Sequence, residues 1–557
     1  MSGVIGKATN NLLEVFHRLQ SGELDALLNS IRQYVERRKT LSLAIAVVSV
    51  LFIGRRAIRP RRPAGYLAIP EADNWKVLKT MFTTDSVTER RKPFGDILQK
   101  HGIVRMKLVG QDMVHFATPE YAKKMLTSSD VFLKESPEDQ GKYTLSAKFL
   151  GGVNLVFSNG GTWRRHRKIA NPAFHRNWDT DVFGHCVRKM SNVIDASMAK
   201  EGKVDLGDVF TRMTLDALGL AGFGFDFKSL ENPDGEYVKT YNTLMNASLN
   251  PLYFLFPILD RFPLGARRKL HTEAVIKYDN LLFDIIKAKQ ADVEAKRAAN
   301  GGTDMHDKDD LLTMMIKACY DDENKEGGKG LNLKELRDNV AIFFLAGHDT
   351  TANALASAIY FLARNPEYQQ RLFEEAIEAL GPIETEEDEL KVPTFAQTKQ
   401  MPFLDLVMKE TLRLRPSVGQ LPARKTAQEV DMGDGYIIPK GIRCTLNIHS
   451  IHHNPKYWGD DVEEFKPDRF QGNALTGEKS DGYTARGSYE WLAFSNGPRS
   501  CIGTNFSLIE QRVTLSMLVR KYTFKLPEDS IWKDHLDARG VVLQHIHDLY
   551  VEFHPRQ

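Results

Sequence analysis

The chain is 557 residues long, 42% hydrophobic and 26% charged, the make-up of a globular protein with a large buried core, which excludes a disordered or low-complexity chain. Its 75 basic residues nearly cancel its 72 acidic ones and leave a net charge of +3, so nothing in the overall balance points to a nucleic-acid binder. The four cysteines, Cys186, Cys319, Cys444 and Cys501, are spaced too widely for a disulfide framework or a cysteine-only zinc site.

The N-terminal segment, 1–39, carries Leu12, Leu13, Phe16 and Leu19, then Leu24, Leu27, Leu28 and Ile31, at helical spacing. This predicts an amphipathic helix that lies on a membrane surface or packs on the main domain. Residues 40–54 contain the uncharged run LSLAIAVVSVLFI with arginines on both sides, a candidate membrane anchor. At about 1.5 Å per residue the run covers roughly 20 Å against a hydrocarbon core of about 30 Å, so a buried core helix is the competing reading. It starts too late, and lacks the small-residue cleavage site, for a signal peptide. Residues 55–66 are basic and proline-rich and read as a stiff linker into the main domain, 67–557.

Within that domain, IVRMKLV and MVHFA flank Gly110-Gln111-Asp112 and predict a β-hairpin, while most of the remainder has helical periodicity. Trp163 and Arg167 fall on one face of a helix, an arrangement that suits an anion. The hydrophilic stretches around 289–310 and 321–330 read as solvated loops. A long helix follows: Asn332 and Glu335 fit a capping box, the apolar pattern runs from Val340 to Leu362, and Asn365-Pro366 stops it. Gly347 inside this helix is costly unless its missing side chain makes needed space, and Asp349 and Thr350 are polar in apolar surroundings. Further on, Glu410 and Arg413 sit in a buried-looking helical segment. Clustered His452, His453, His545 and His547 lack metal-site spacing and read as solvated or edge-strand residues. Asn505-Phe506-Ser507 fits a glycosylation pattern but falls inside a helix predicted to be buried.

Cys501 lies in FSNGPRSCIG, before a helix in which Ile502, Phe506, Ile509, Val513 and Met517 mark one packed face. A helix N-terminus and Arg499 favour a thiolate, and Gly497, Pro498 and Gly503 let the loop fold tightly around it. A nucleophile, a redox thiol and a metal ligand all fit such a sulfur. Phe494, Gly497, Arg499, Cys501 and Gly503 match F-x-x-G-x-R-x-C-x-G, and on these residues the chain resembles the cytochrome P-450 family in its membrane-anchored eukaryotic (microsomal, fungal-like) form. AGHDTT, Ala346 to Thr351, resembles the family's distal-helix motif, in which Asp349 and Thr350 organise proton delivery. Glu410, Arg413 and Arg469 resemble its structural core, and Trp163, Arg167 and Arg424 resemble its propionate partners. His348 stands at a variable position of that motif and receives no catalytic role.

The resemblance implies a mainly α fold with small β-sheets, the haem held between the long distal helix and the proximal cysteine-loop helix. It also implies haem b (iron protoporphyrin IX) with Cys501 as axial metal ligand. The implied activity is monooxygenation of a lipophilic substrate such as a steroid, fatty acid, terpenoid or xenobiotic, with Phe343, Ala346, Val418, Leu421 and Val542 as candidate pocket residues. Electrons from NADPH are expected through a separate NADPH-cytochrome P-450 reductase, with cytochrome b5 as a further donor, because no flavin or nicotinamide fingerprint occurs. Arg164, Arg165 and Lys168 are candidates for the docking face. The expected location is the endoplasmic reticulum membrane, with the catalytic domain in the cytosol. An isomerase, dehydratase or nitric-oxide reductase on the same fold is the alternative, and a haem-thiolate sensor or a cysteine-nucleophile hydrolase are more distant ones.

Overall fold

The computed structural model describes residues 62–248, 250–261, 266–299, 309–323, 330–471, 487–540 and 542–556. The expected amphipathic segment and membrane anchor lie outside the described residues, as do 55–61 of the linker. From Ala64 onward the chain forms one compact unit. The helix Ala64–Leu67 already belongs to it: Tyr66 is buried, and a Cβ on Gly65 would come within 2.6 Å of the Gly435 carbonyl oxygen. The end of the expected linker is therefore part of the fold.

The helix Leu333–Arg364 is the axis of the molecule. Asn332 and Glu335 cap it reciprocally, as expected, and at about 1.5 Å per residue it runs for roughly 48 Å. Almost all of its residues between Glu335 and Leu362 are buried, packed by the helices Leu206–Leu218, Pro402–Leu414 and Thr504–Lys521 in the larger of the hydrophobic cores. Gly347 has a packing reason. Its missing Cβ would lie 2.8 Å from both methyl carbons of Leu218, so the glycine brings the helix Leu206–Leu218 close.

A second core lies under the main sheet. In chain order the strands are β1 (Ile103–Leu108), β2 (Gln111–Phe116), β3 (Phe132–Lys134), β4 (Val204–Asp205), β5 (Arg424–Thr426), β6 (Val430–Gly433), β7 (Tyr436–Ile438), β8 (Arg443–Leu446), β9 (Tyr522–Lys525) and β10 (Tyr550–Pro555). The five-stranded sheet has the order β1-β2-β8-β5-β3, β4-β10-β9 form a second sheet, and β6-β7 are a hairpin. β1 and β2 are the expected hairpin, but its turn is Val109-Gly110, both at positive φ, and Gln111 and Asp112 are already in β2. A two-residue turn of this kind matches the twist of the strands.

The expectation of a loop at 289–310 fails for its first half. Residues up to Ala299 continue the helix Ala266–Ala299. Their charges are satisfied on its surface: Lys296 bonds Asp292 at 2.8 Å, and Lys289 pairs with Asp310. Likewise 321–323 finish the helix Leu311–Glu323. Polar composition marks an exposed helix face as readily as a loop.

Candidate active site

The cysteine loop is built on strained and tightly bonded backbone. Ser495 and Gly497 both take positive φ. A Cβ on Gly497 would lie 3.0 Å from the Leu126 carbonyl oxygen, so that position must be bare. The Cys501 N–H donates to the Phe494 carbonyl at 2.9 Å, closing the loop around the sulfur. Arg499 donates to the carbonyls of Ser158 (2.8 Å) and Val156 (2.9 Å), and its guanidinium covers the Trp163 ring at 4.6 Å. Arg167, one turn along the helix Gly160–His175, donates to the Ser500 carbonyl at 3.1 Å. Trp163 and Arg167 thus both meet the cysteine loop.

The helix after the loop starts at Thr504 with Gly503 as N-cap, so Cys501 precedes the cap rather than occupying it. Burial pushes its thiol above the ordinary value, against the N–H groups of Gly503 and Thr504 and the charge of Arg167. Desolvation thus works against the thiolate that the local dipole favours. Cys501 is nevertheless exposed. A thiol held protonated is a poor nucleophile, whereas a metal cation removes that proton outright. Of the roles open at the start, metal ligand fits best.

Beside the sulfur the protein gathers positive charge. Lys134 and Arg424 are directly paired across β3 and β5, a like-charge placement that costs stability. Burial, then Arg424 and Arg499, hold the Lys134 ammonium well below its usual range, and burial lowers Arg424 to about 10. Arg424 gives one bond, to the Met125 carbonyl at 3.0 Å, and its Nε is buried without a partner. Among the described residues no carboxylate lies within ion-pair distance of Lys134, Arg167, Arg424 or Arg499. A buried cation, Arg424, and three half-buried ones without carboxylates call for an anion, and the propionates of a haem supply one. The residues present fit that cofactor.

On the long helix the open face is Ala346, which is exposed, and Thr350, which is half-buried. The Thr350 hydroxyl donates to the Ala346 carbonyl at 2.9 Å, and Ser417 Oγ donates to the Thr350 carbonyl at 2.6 Å, which ties the 417–421 stretch to this turn. Asp349 is about 100° around the helix from Thr350 and buried, with its carboxylate accepting from Tyr241. Val418 bridges to Leu543. Leu421 is buried in the sheet core and Val542 is exposed. Phe343 does not join this group: its ring is buried against Phe174, centroids 5.7 Å apart.

Glu410, Arg413 and Arg469 come together. Arg413 grips Glu410 through Nε at 2.7 Å and Nη2 at 2.8 Å, both side chains fully buried, and Arg469 Nε donates to the same carboxylate at 3.2 Å. His452, expected at the surface, is fully buried. Its Nδ1 donates to the Arg413 carbonyl at 3.2 Å and its Nε2 accepts from the Leu492 N–H at 2.8 Å, linking this core to the approach of the cysteine loop. Its placement after the strand β8, shared with His453, carried no distinguishing signal, and neither Lys134 nor Tyr241 is visible without the tertiary contacts to Arg424 and Asp349. Of the expected docking cations, Arg164 and Lys168 are exposed, but Arg165 turns inward to Glu335, Nη1 to Oε2 at 3.0 Å.

An exposed cysteine suited to a metal, a cation cradle beside it and a long helix opposite suit one class of protein, the haem-thiolate enzymes. The family model described as Cytochrome P450 matches residues 70–553. Cytochrome P450 4F5 of Rattus norvegicus is 33% identical over 397 residues, 68% of this chain and 69% of its own length, and Cytochrome P450 4F8 of Homo sapiens is 30% identical over 77% of each chain. Protein LUTEIN DEFICIENT 5, chloroplastic, of Arabidopsis thaliana is 28% identical over 76% of this chain and 67% of its own length. The chain belongs to the cytochrome P450 family and is a haem-thiolate monooxygenase.

Proposed function

We propose that the chain hydroxylates a lipophilic small molecule (a steroid, fatty acid, terpenoid or xenobiotic), and that Cys501 would hold the iron of haem b through its thiolate. The observation that carries this is the pairing of Cys501 with the carboxylate-free cations Lys134, Arg167, Arg424 and Arg499, which offers a metal ligand and an anion cradle side by side. Lys134, Trp163, Arg167, Arg424 and Arg499 would hold the propionate edge, Arg167 also bracing the loop, and Phe494, Gly497 and Gly503 would shape it. When bound, the haem supplies dioxygen activation and oxygen insertion, which a cysteine thiolate favours by donating electron density. Asp349 and Thr350 move protons on the distal side, and Ala346 and Val418 border the substrate. Glu410, Arg413 and Arg469 keep the proximal side rigid.

Electrons come from NADPH through NADPH-cytochrome P-450 reductase, with cytochrome b5 as a further donor, and exposed Arg164 and Lys168 suit an acidic partner. Residues 40–54 anchor the enzyme in the endoplasmic reticulum membrane. No helix among the described residues is long and apolar enough to cross a membrane, so the anchor assignment stands on the sequence. The test is Cys501→Ser: the reduced carbon monoxide complex should lose its thiolate-type spectrum and product formation with reductase should stop. An unchanged spectrum refutes axial ligation by Cys501.

A further inference from the structure

The backbone of Asp349 is fixed without help from its side chain. Asn353 Nδ2 donates to the Asp349 carbonyl at 2.6 Å, and the Ile546 N–H donates to Asn353 Oδ1 at 2.8 Å, so the C-terminal segment holds this turn. The carboxylate depends on a different element. Tyr241, on the helix Glu236–Ser248, donates its hydroxyl to Oδ2. Among the described residues this is the only hydrogen bond to that carboxylate, and no lysine or arginine lies within ion-pair distance of it. A carboxylate that is buried and has no cation leans on the donors that reach it. Burial, then the Asp349 charge, hold the Tyr241 phenol well above its ordinary value, so it stays a donor.

Tyr241 itself has little freedom. It is buried, Phe149 of the helix Leu145–Leu150 meets its ring edge-on with centroids 6.0 Å apart, and the His348 ring lies 4.8 Å away. Its hydroxyl is therefore presented at one place. The last torsion of an aspartate is broad, so a single fixed donor decides how the carboxylate is turned. Thr350 does not compete for that role, because its hydroxyl bonds the Ala346 carbonyl. We propose that Tyr241 is a positioning residue for the oxygenation reaction: it pins Oδ2 of Asp349 to the helix Glu236–Ser248 and so sets the orientation from which Asp349 serves Thr350. This rests on the monooxygenase reading above.

The test compares wild type, Tyr241→Phe, Asp349→Asn and the double variant as full-length haem-loaded proteins with reductase, using dodecanoic acid, progesterone and farnesol as probe substrates. Phenylalanine keeps the ring packing and removes only the hydroxyl. Tyr241→Phe should lower kcat and the product formed per NADPH by about tenfold, less than the roughly 10²-fold expected for losing a transferring group itself. KM should stay unchanged. In the Asp349→Asn background the same substitution should have no further effect, because residues that act through one another are not additive. A second readout needs no turnover: the infrared band of the Asp349 carboxyl group, identified by its loss in Asp349→Asn, should shift between resting wild type and Tyr241→Phe. Additive losses, a change in KM with kcat intact, or an unmoved band overturn the proposal. Should Tyr241→Phe fail to take up haem, 3-fluorotyrosine at position 241 replaces it; this more acidic phenol should move the band, and a band that stays still counts against the proposal in the same way. A wild type that oxygenates none of the three probes overturns the monooxygenase reading instead, while the infrared comparison still decides this one.

Discussion

Thr350 is the half-open polar residue on the distal turn, and its hydroxyl is already spent on the Ala346 carbonyl. A back-bond of this kind is weak and easily exchanged, so the hydroxyl can turn outward without disturbing a helix that is otherwise buried. Thr350→Ala should therefore leave folding and haem uptake intact. Coupling should drop by about 10²-fold, the lower end for a lost proton-transfer group, with the electrons recovered as hydrogen peroxide. Measuring peroxide and product per NADPH checks this, and unchanged coupling removes Thr350 from the proton route. The residues of this site differ in how far the sequence discloses them. Cys501, Gly497 and Arg499 sit within one decapeptide whose turn and charge chemistry is local, so they can be read directly. Lys134 is charged and unremarkable until β3 pairs it with Arg424. His348 looks like any histidine until the fold buries it against the Tyr241 ring and the Phe344 carbonyl.

The helix Pro402–Leu414 shows what one element does for the site. Its last turn places Glu410 and Arg413 together at helical spacing, and Arg413 then reaches the carbonyls of His452 (2.9 Å) and Val462 (2.8 Å). Arg469 is shared with Asp461 at 2.7 Å. The pattern E-x-x-R was legible, but its meaning came from burial: an exposed pair at that spacing contributes only about 0.2–0.5 kcal/mol. A fully buried one leaves an uncompensated charge if one partner is removed. Glu410→Gln should cost about 3–5 kcal/mol of folding stability. Arg371→Gln, which cuts the half-exposed pair with Asp468 at 2.9 Å, should cost at most about 1 kcal/mol. Urea unfolding of both variants checks the contrast, and equal losses would mean that Glu410 is better solvated than its burial indicates. Element boundaries were read less well where polarity stood in for loops. The helix Ala266–Ala299 runs through a stretch whose charges pair along its own surface and with Asp310 beyond it, a pattern that composition cannot separate from a linker.

At the scale of the whole molecule, two cores meet at the cysteine loop. The long helix and its neighbours pack one, the five-stranded sheet covers the other, and a smaller aromatic group of Trp458, Phe470 and Trp491 joins them near Phe494. Periodicity disclosed the helices one by one, but not how histidines become locked between the parts. His452 is the clearest case, since it spends one nitrogen on the Arg413 carbonyl and the other on the Leu492 N–H. Burial, with repulsion from His453 and Arg413, lowers its pKa to about 3, and burial alone lowers His115 to about 4. In the unfolded chain both take up a proton near pH 6.5. Below that value the unfolded state binds more protons than the folded one, so stability present above pH 6.5 is lost as pH falls toward the folded values. Each histidine should contribute a slope approaching about 1.4 kcal/mol per pH unit. The window from pH 6.5 to 5 is the one to measure, because most carboxylates have not yet begun to titrate there. His452→Gln keeps a donor for the Arg413 carbonyl and an acceptor for Leu492 while removing the titration. Urea unfolding across that window should show a shallower acid slope in the variant than in the wild type, by one histidine's share. Parallel slopes would mean that His452 is already protonated in the fold, and that the Leu492 N–H finds its acceptor elsewhere.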